Sequence, residues 1–132
     1  MKIGKTYYFE AAHSLPGHNG KCRNLHGHSY RLDVELEGIP ILYLHCSDDG
    51  MILDFDDLDR AVERIIDGHL DHRNLNASLP ESEVRRTTAE LICGWVSRRI
   101  DQELAAVRTG RDFRLSRVRL WETVKSWAEW TP

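Results

Sequence analysis

An α+β fold, with helices gathered on one face of an antiparallel sheet, follows from the order of elements along the chain: strands, helix, helix, strands. Two segments carry most of that reading. From His26 to Glu37, Tyr30, Leu32, Val34 and Leu36 alternate with Arg31, Asp33, Glu35 and Glu37, the period of two of a half-buried antiparallel strand. Thr87-Thr88-Ala89-Glu90 places Glu90 three residues after Thr87 as a capping box, ahead of Leu91, Ile92, Trp95, Val96, Ile100 and Leu104 at helical spacing. Parallel crossovers would instead need strands and helices to alternate throughout.

Lys2 to His13 is rich in Tyr and Phe, and Phe9, Ala11 and His13 share one parity, which predicts a first strand that ends at the histidine. Ser14 to Leu25, with Pro16, Gly17 and Asn19-Gly20, is a loop. After the alternating strand come Gly38 and Pro40, an apolar stretch from Ile41 to Leu44, the turn signal Asp48-Asp49-Gly50 and Met51-Ile52-Leu53, read as a hairpin return. Asp54 or Asp56 caps a helix through Leu58, Ala61, Val62, Ile65 and Ile66 that ends near Gly68. The second helix stops before Gly110. Phe113 to Thr123 and Ser126 to Trp130 are two further strands, with a parity shift between Leu115 and Val118 that a bulge would make.

The 132 residues are enough for one domain, expected to span 1–132, and no repeat or low-complexity linker divides them. With 41% hydrophobic and 30% charged residues the profile is that of a soluble globular protein. A net charge of −3, without a dense Lys/Arg cluster, excludes the broad electrostatic footprint of a nucleic-acid binder. Arg85-Arg86 and Arg98-Arg99 are read as solvated faces without an assigned role. No apolar run approaches the ~20 residues of a membrane span, and Met-Lys-Ile-Gly-Lys opens into a strand pattern, so no membrane partner and a cytoplasmic location are expected. Cys22, Cys46 and Cys93 are odd in number, which suits a reducing compartment with at least one free thiol; Cys46 and Cys93 are assigned to packing.

Chemistry concentrates in Cys22-Arg23-Asn24-Leu25-His26-Gly27-His28. Residues i and i+2 of a strand face one side about 6.5 Å apart, so His26 and His28 can converge on one ion, and Gly27 leaves the opposite face free for close backbone approach. If the first strand pairs antiparallel with this one, His13 supplies a third nitrogen, a set that suits Zn²⁺ with one coordination position open. Cys22 has two readings: a fourth ligand that closes a structural tetrahedral site, or a free thiol activated beside the metal as base or nucleophile.

Two more segments are informative. In Leu70-Asp71-His72-Arg73-Asn74-Leu75-Asn76, the Asp-His pair is either a helix-end and turn device or a proton relay in which Asp71 fixes the tautomer of His72. In Leu120-Trp121-Glu122-Thr123, Glu122 is either an edge-strand charge or a carboxylate accepting paired N–H bonds from the amidine-like edge of a heterocycle such as a pterin. His18, His45 and His69 receive no role.

Taken together, Phe9-Glu10-Ala11-Ala12-His13, Cys22-x3-His26-Gly27-His28, Gly50-Met51 with Asp54-Phe55, Leu70-Asp71-His72-x-x-Leu75-Asn76, Thr88-Ala89-Glu90 and Glu122-Thr123 resemble the 6-pyruvoyl-tetrahydropterin synthase family, in the family's order and over nearly the whole chain. The three residues between Cys22 and His26 are the spacing of its bacterial 6-carboxy-tetrahydropterin synthase branch. The resemblance implies the tunnelling fold, a four-stranded antiparallel sheet with two helices on one side, assembled as a homo-oligomer, usually a hexamer with sites at subunit interfaces. It implies zinc on His13, His26 and His28, with Cys22 as proton-removing catalyst and His72, supported by Asp71, completing the relay. Glu122, aided by Thr123, would anchor the pterin. The implied reaction converts 7,8-dihydroneopterin triphosphate to 6-carboxy-5,6,7,8-tetrahydropterin, acetaldehyde and triphosphate, toward queuosine and other deazapurines. A 6-pyruvoyl-forming or related pterin lyase, and a non-catalytic zinc-stabilised pterin-binding module, are the competing expectations. Thr87-Thr88 in place of Pro-Thr, Trp130 in place of Tyr and the segment Gly38 to Asp49 depart from the family pattern.

Overall fold

The computed structural model describes residues 1–132. Strand β1 (Lys2–His13) pairs antiparallel with β2 (His26–Gly38) along its whole length, from Lys2 opposite Glu37 to His13 opposite His26. Helix α1 (Phe55–Ile65) follows, then β3 (Arg73–Asn74), the single turn α2 (Leu75–Ser78), α3 (Ala89–Ala105), β4 (Phe113–Trp121) and β5 (Trp127–Trp130). The sheet order is β3-β1-β2-β4-β5. Four strands are antiparallel neighbours as expected; the fifth, β3, is an addition of two residues, parallel to β1 through Ala11 opposite Arg73 and Ala12 opposite Asn74.

One face of this sheet is apolar because the alternation dictates it. Tyr7, Phe9 and Ala11 of β1, Tyr30, Leu32, Val34 and Leu36 of β2, and Val118 and Leu120 of β4 are buried against Leu58, Val62 and Ile65 of α1 and Ile92, Trp95, Val96, Ile100 and Leu104 of α3. Burying a side chain of this size contributes about 1.5–3 kcal/mol. The bulge expected near Leu115 is present: Glu35 pairs with Arg117 and Leu36 with Leu115, so Ser116 is the extra residue, its hydroxyl donating to the Glu35 carbonyl at 3.1 Å. Past the bulge, the even positions of β4 face the helices, which also decides where Glu122 points.

Local expectations needed three corrections. α3 is capped by Thr88, whose hydroxyl accepts from Leu91 N at 3.4 Å, and not by Thr87, which is buried and engaged elsewhere. α1 is capped by Asp54, one of the two expected caps, but its regular turns end at Ile65 and a wider π-helical turn carries the chain from Ile66 to Leu70. Ile41–Leu44 and Met51–Leu53 form no strands. Instead Ile41 N donates to Met51 O at 2.8 Å and Gly50 N to Ile41 O at 2.7 Å, closing a loop whose turn uses Gly50 at φ +83, with Leu42, Tyr43 and Leu44 exposed. An ion pair between Asp48 and Arg111 ties this loop to the connection between α3 and β4. No helix is long and apolar enough to cross a membrane.

Candidate metal centre

His13 ends β1, and His26 and His28 begin β2, all on the helix-covered face of the sheet. Pairing His13 with His26 places the three rings at one end of the core, with centroid separations of 4.6, 5.2 and 4.8 Å. One ligand atom from each lies within 4.8 Å of the other two, close enough for a single cation to reach all three with small ring adjustments. The rings rest on Tyr30, fully buried, stacked on Phe9 at 4.9 Å and edge-on to His28 at 5.5 Å. Burial, and then the Glu122 carboxylate, raise the Tyr30 phenol above its ordinary pKa.

The tautomers are set from outside the cluster. His13 Nδ1 lies 2.7 Å from the Thr87 carbonyl oxygen and His26 Nδ1 lies 2.8 Å from that of Asn24. A carbonyl only accepts, so each Nδ1 carries a proton, and Nε2 is the nitrogen left to bind an ion. His13 Nε2 and His28 Nε2 are buried and have no hydrogen-bond partner. Buried nitrogens without partners are costly, and here they aim at one point. Burial is the largest influence on His28 and lowers its pKa; His13 and His26 act in the same direction and Glu122 opposes them. Three imidazoles whose ring nitrogens gather within 4.8 Å of one another, two of them buried and unpartnered, are the donor set of a Zn²⁺ site, so the residues fit such an ion.

Residues without an assigned role hold this end of the sheet. Asn76 accepts from Ser14 N at 2.7 Å and donates to Ser14 O at 3.0 Å, and Thr87 Oγ1 donates to the same carbonyl at 3.2 Å. Both therefore clamp the residue after His13. The only sequence signals were Asn76 in the Leu-Asp-His segment and the Thr pair before α3; a carbonyl that orients a ring has no signature of its own.

Cys22 sits in a short 3₁₀ turn, Lys21–Arg23, exposed and free. It does not belong to the compact ligand group, which consists of the three histidines. Cys93 is buried as expected, but Cys46 is exposed, in the loop that failed to form a hairpin, so its assignment to packing is corrected.

Asp71 and His72 lie on the β1 edge. Glu10 N donates to Asp71 Oδ1 at 2.9 Å, His72 N donates to Glu10 O at 2.6 Å, and His72 Nδ1 lies 2.8 Å from Asp71 Oδ2. The Glu10 amide, then the His72 ring, lower the Asp71 pKa, which keeps it ionised and able to hold the proton on His72 Nδ1. His72 takes φ +54, a left-handed conformation unusual for a residue with a side chain. His72 and His28 both line an open cleft of about 470 Å³ with Glu10, Gly27, Ser29 and Arg73. A Cβ on Gly27 would meet only the Ala11 carbonyl oxygen of β1, at 3.4 Å.

Glu122 follows β4 on the same face as Leu120, with Oε1 3.4 Å from His13 Nε2 and 3.9 Å from His28 Nε2. It thus stands beside His13 and His28. Thr123 faces a second role: its hydroxyl accepts from Ser126 N at 3.0 Å and Lys125 N at 3.2 Å, shaping the turn into β5.

Comparison with known proteins adds to this geometry. The family model described as 6-pyruvoyl tetrahydropterin synthase matches residues 2–132. The chain is 35% identical to 6-carboxy-5,6,7,8-tetrahydropterin synthase of Haemophilus influenzae over 98% of each chain. It is 40% identical to the protein of that name from Synechocystis over 76% of this chain and 74% of the other. In fold it is similar to Caenorhabditis elegans 6-pyruvoyl tetrahydropterin synthase, with a TM-score of 0.80 and 23% identity, covering 100% of this chain and 95% of that one.

Proposed function

Because the chain belongs to the 6-pyruvoyl tetrahydropterin synthase family, we propose that it is a zinc-dependent lyase of the 6-carboxy-tetrahydropterin branch. Its reaction takes 7,8-dihydroneopterin triphosphate and water to 6-carboxy-5,6,7,8-tetrahydropterin, acetaldehyde and triphosphate, a step toward queuosine. The observation that carries the reading is the pair of buried, unpartnered Nε2 atoms of His13 and His28 beside His26, with one ring nitrogen of each histidine within 4.8 Å of the others.

Bound there, zinc would supply a Lewis acid to the hydroxyls of the substrate side chain. His13 and His26 hold the required tautomers through Thr87 and Asn24. Cys22, exposed on the loop that leads into β2, removes a proton from the side-chain carbon. His72 Nε2 moves the second proton, its Nδ1 held by ionised Asp71. Glu122 accepts from the amidine edge of the pterin, and Thr123 supports it by fixing the turn that follows. Exposure of His72, together with exposed Tyr8, Val124 and Trp127 on and beside the uncovered face of the sheet, supports a homo-oligomer in which a neighbouring copy completes the cleft.

Incubation of the zinc-loaded protein with 7,8-dihydroneopterin triphosphate, with products identified by mass, tests the proposal. The 6-carboxy product with acetaldehyde is expected; a 6-pyruvoyl product would move the chain to the other branch. Cys22→Ala should lower kcat by ~10²–10⁴-fold with zinc content unchanged, as for loss of one acid–base group. Loss of zinc in that variant would favour the non-catalytic module, in which the thiol is a ligand.

A further inference from the structure

Glu122 is placed for a task other than holding the pterin. Its carboxylate is one-quarter exposed, and the groups nearest it able to carry positive charge are His13 and His28. A direct charge-assisted hydrogen bond from an imidazolium would be about 2.7–2.9 Å long. The observed 3.4 Å to His13 Nε2 is longer, and that nitrogen makes no hydrogen bond at all. Ligands ~2.0–2.1 Å from a tetrahedral zinc ion stand roughly 3.3–3.4 Å from one another, so the oxygen lies where a fourth ligand would. The His28 distance, 3.9 Å, is of the same order.

We propose that the Glu122 carboxylate is a fourth, exchangeable ligand to the ion held by His13, His26 and His28, closing the site until substrate oxygen displaces it. This rests on the metal-site reading above. One carboxylate cannot serve the metal and the amidine edge of a pterin together, so release from the metal frees it for the ring. Opening the metal and anchoring the substrate become one event, and an ion without substrate is shielded from adventitious ligands. Three features place the carboxylate there: the Ser116 bulge that sets the β4 parity, the antiparallel β2–β4 pairing, and Glu122 N donating to Ser126 O at 3.0 Å.

Zinc affinity by competition with a chromophoric chelator, and the visible spectrum of the cobalt(II)-substituted protein, test this on the full chain without substrate. Glu122→Ala and Glu122→Gln should each weaken zinc binding by at least roughly 10–100-fold, the loss that even a group outside the ligand set causes. Both should alter the cobalt bands. Acetate added to Glu122→Ala should restore the wild-type bands while leaving wild type unchanged. Affinity within about twofold of wild type and unaltered bands in Glu122→Gln, which is nearly isosteric and decides the matter if the alanine variant does not fold, would overturn the proposal. His26→Ala separates the two readings: it should abolish tight zinc binding, and wild-type affinity there would overturn the metal site itself.

Discussion

Two polar clusters lie on opposite faces of β2, a few residues apart, and they treat their polar atoms in opposite ways. On the uncovered face, Asp33 accepts from Thr6 Oγ1 at 2.7 Å, Arg31 Nε at 2.9 Å and Trp121 Nε1 at 2.8 Å, so β1, β2 and β4 are joined through one carboxylate whose two oxygens are both satisfied. On the covered face, His13 Nε2, His28 Nε2 and the Tyr30 hydroxyl are buried without partners. The first cluster is complete within the protein and stabilises the sheet. The second is complete only with something added, and its cost in the free protein is repaid when a ligand binds. Satisfaction of hydrogen bonds, more than residue type, separates a structural polar cluster from a functional one.

The largest test of that contrast exchanges the two outcomes. His28→Ala should lower zinc affinity by more than about 100-fold, beyond the ~10–100-fold of an outer partner, while leaving the metal-free protein close to wild-type stability. Asp33→Ala should do the reverse. It removes three hydrogen bonds to a charged acceptor, each worth about 1.5–3 kcal/mol at most, and solvent reaching this partly open face reduces their sum to an expected loss of about 2 kcal/mol. Chelator competition and urea unfolding of the metal-free protein, run on both variants, read the two effects separately. If His28→Ala unfolded the metal-free protein as readily as Asp33→Ala, the histidines would belong with the structural cluster.

The two clusters were unequally legible in the sequence. The strict alternation from Tyr30 to Glu37 announces β2 and its faces, and His26-Gly27-His28 announces converging rings, because both depend only on the period of a strand. The position of Glu122 beside His13 and His28 depends on the register between β2 and β4, which a one-residue bulge at Ser116 decides; a parity shift is visible in sequence, its spatial consequence is not. The short strand Arg73–Asn74 has no propensity signal, since contacts of Asp71 and His72 with the Glu10 backbone create it. Conversely, Ile41 to Leu44 has the apolar content of a strand but remains a loop: Pro40 removes a donor, and its backbone closes on Gly50 and Met51 instead of on a sheet edge. The Thr87 carbonyl that sets the His13 tautomer is a main-chain atom, and its usefulness appears only once the residues leading into α3 meet the end of β1.

The smallest expected effect sharpens the contrast through pH. Burial of Asp33 acts to raise its pKa, but hydrogen bonds from Thr6, Arg31 and Trp121 and the Arg31 charge together outweigh it and hold the carboxyl below its ordinary value. Between the folded and unfolded pKa values the unfolded chain therefore binds more protons than the folded one, and unfolding is favoured as the pH falls. The contribution of Asp33 is fully present above its unfolded pKa, near about 3.9, and disappears as the pH drops through the lower folded value. Asp33→Asn has no such titration, so the stability gap between wild type and variant should stay constant from neutral pH down to about pH 5 and then close. Urea midpoints across that range measure it. A gap that instead changed between about pH 6 and 7, where an ordinary imidazole titrates, would mean that Asp33 is coupled to the histidines across the sheet, and the two faces would not be independent.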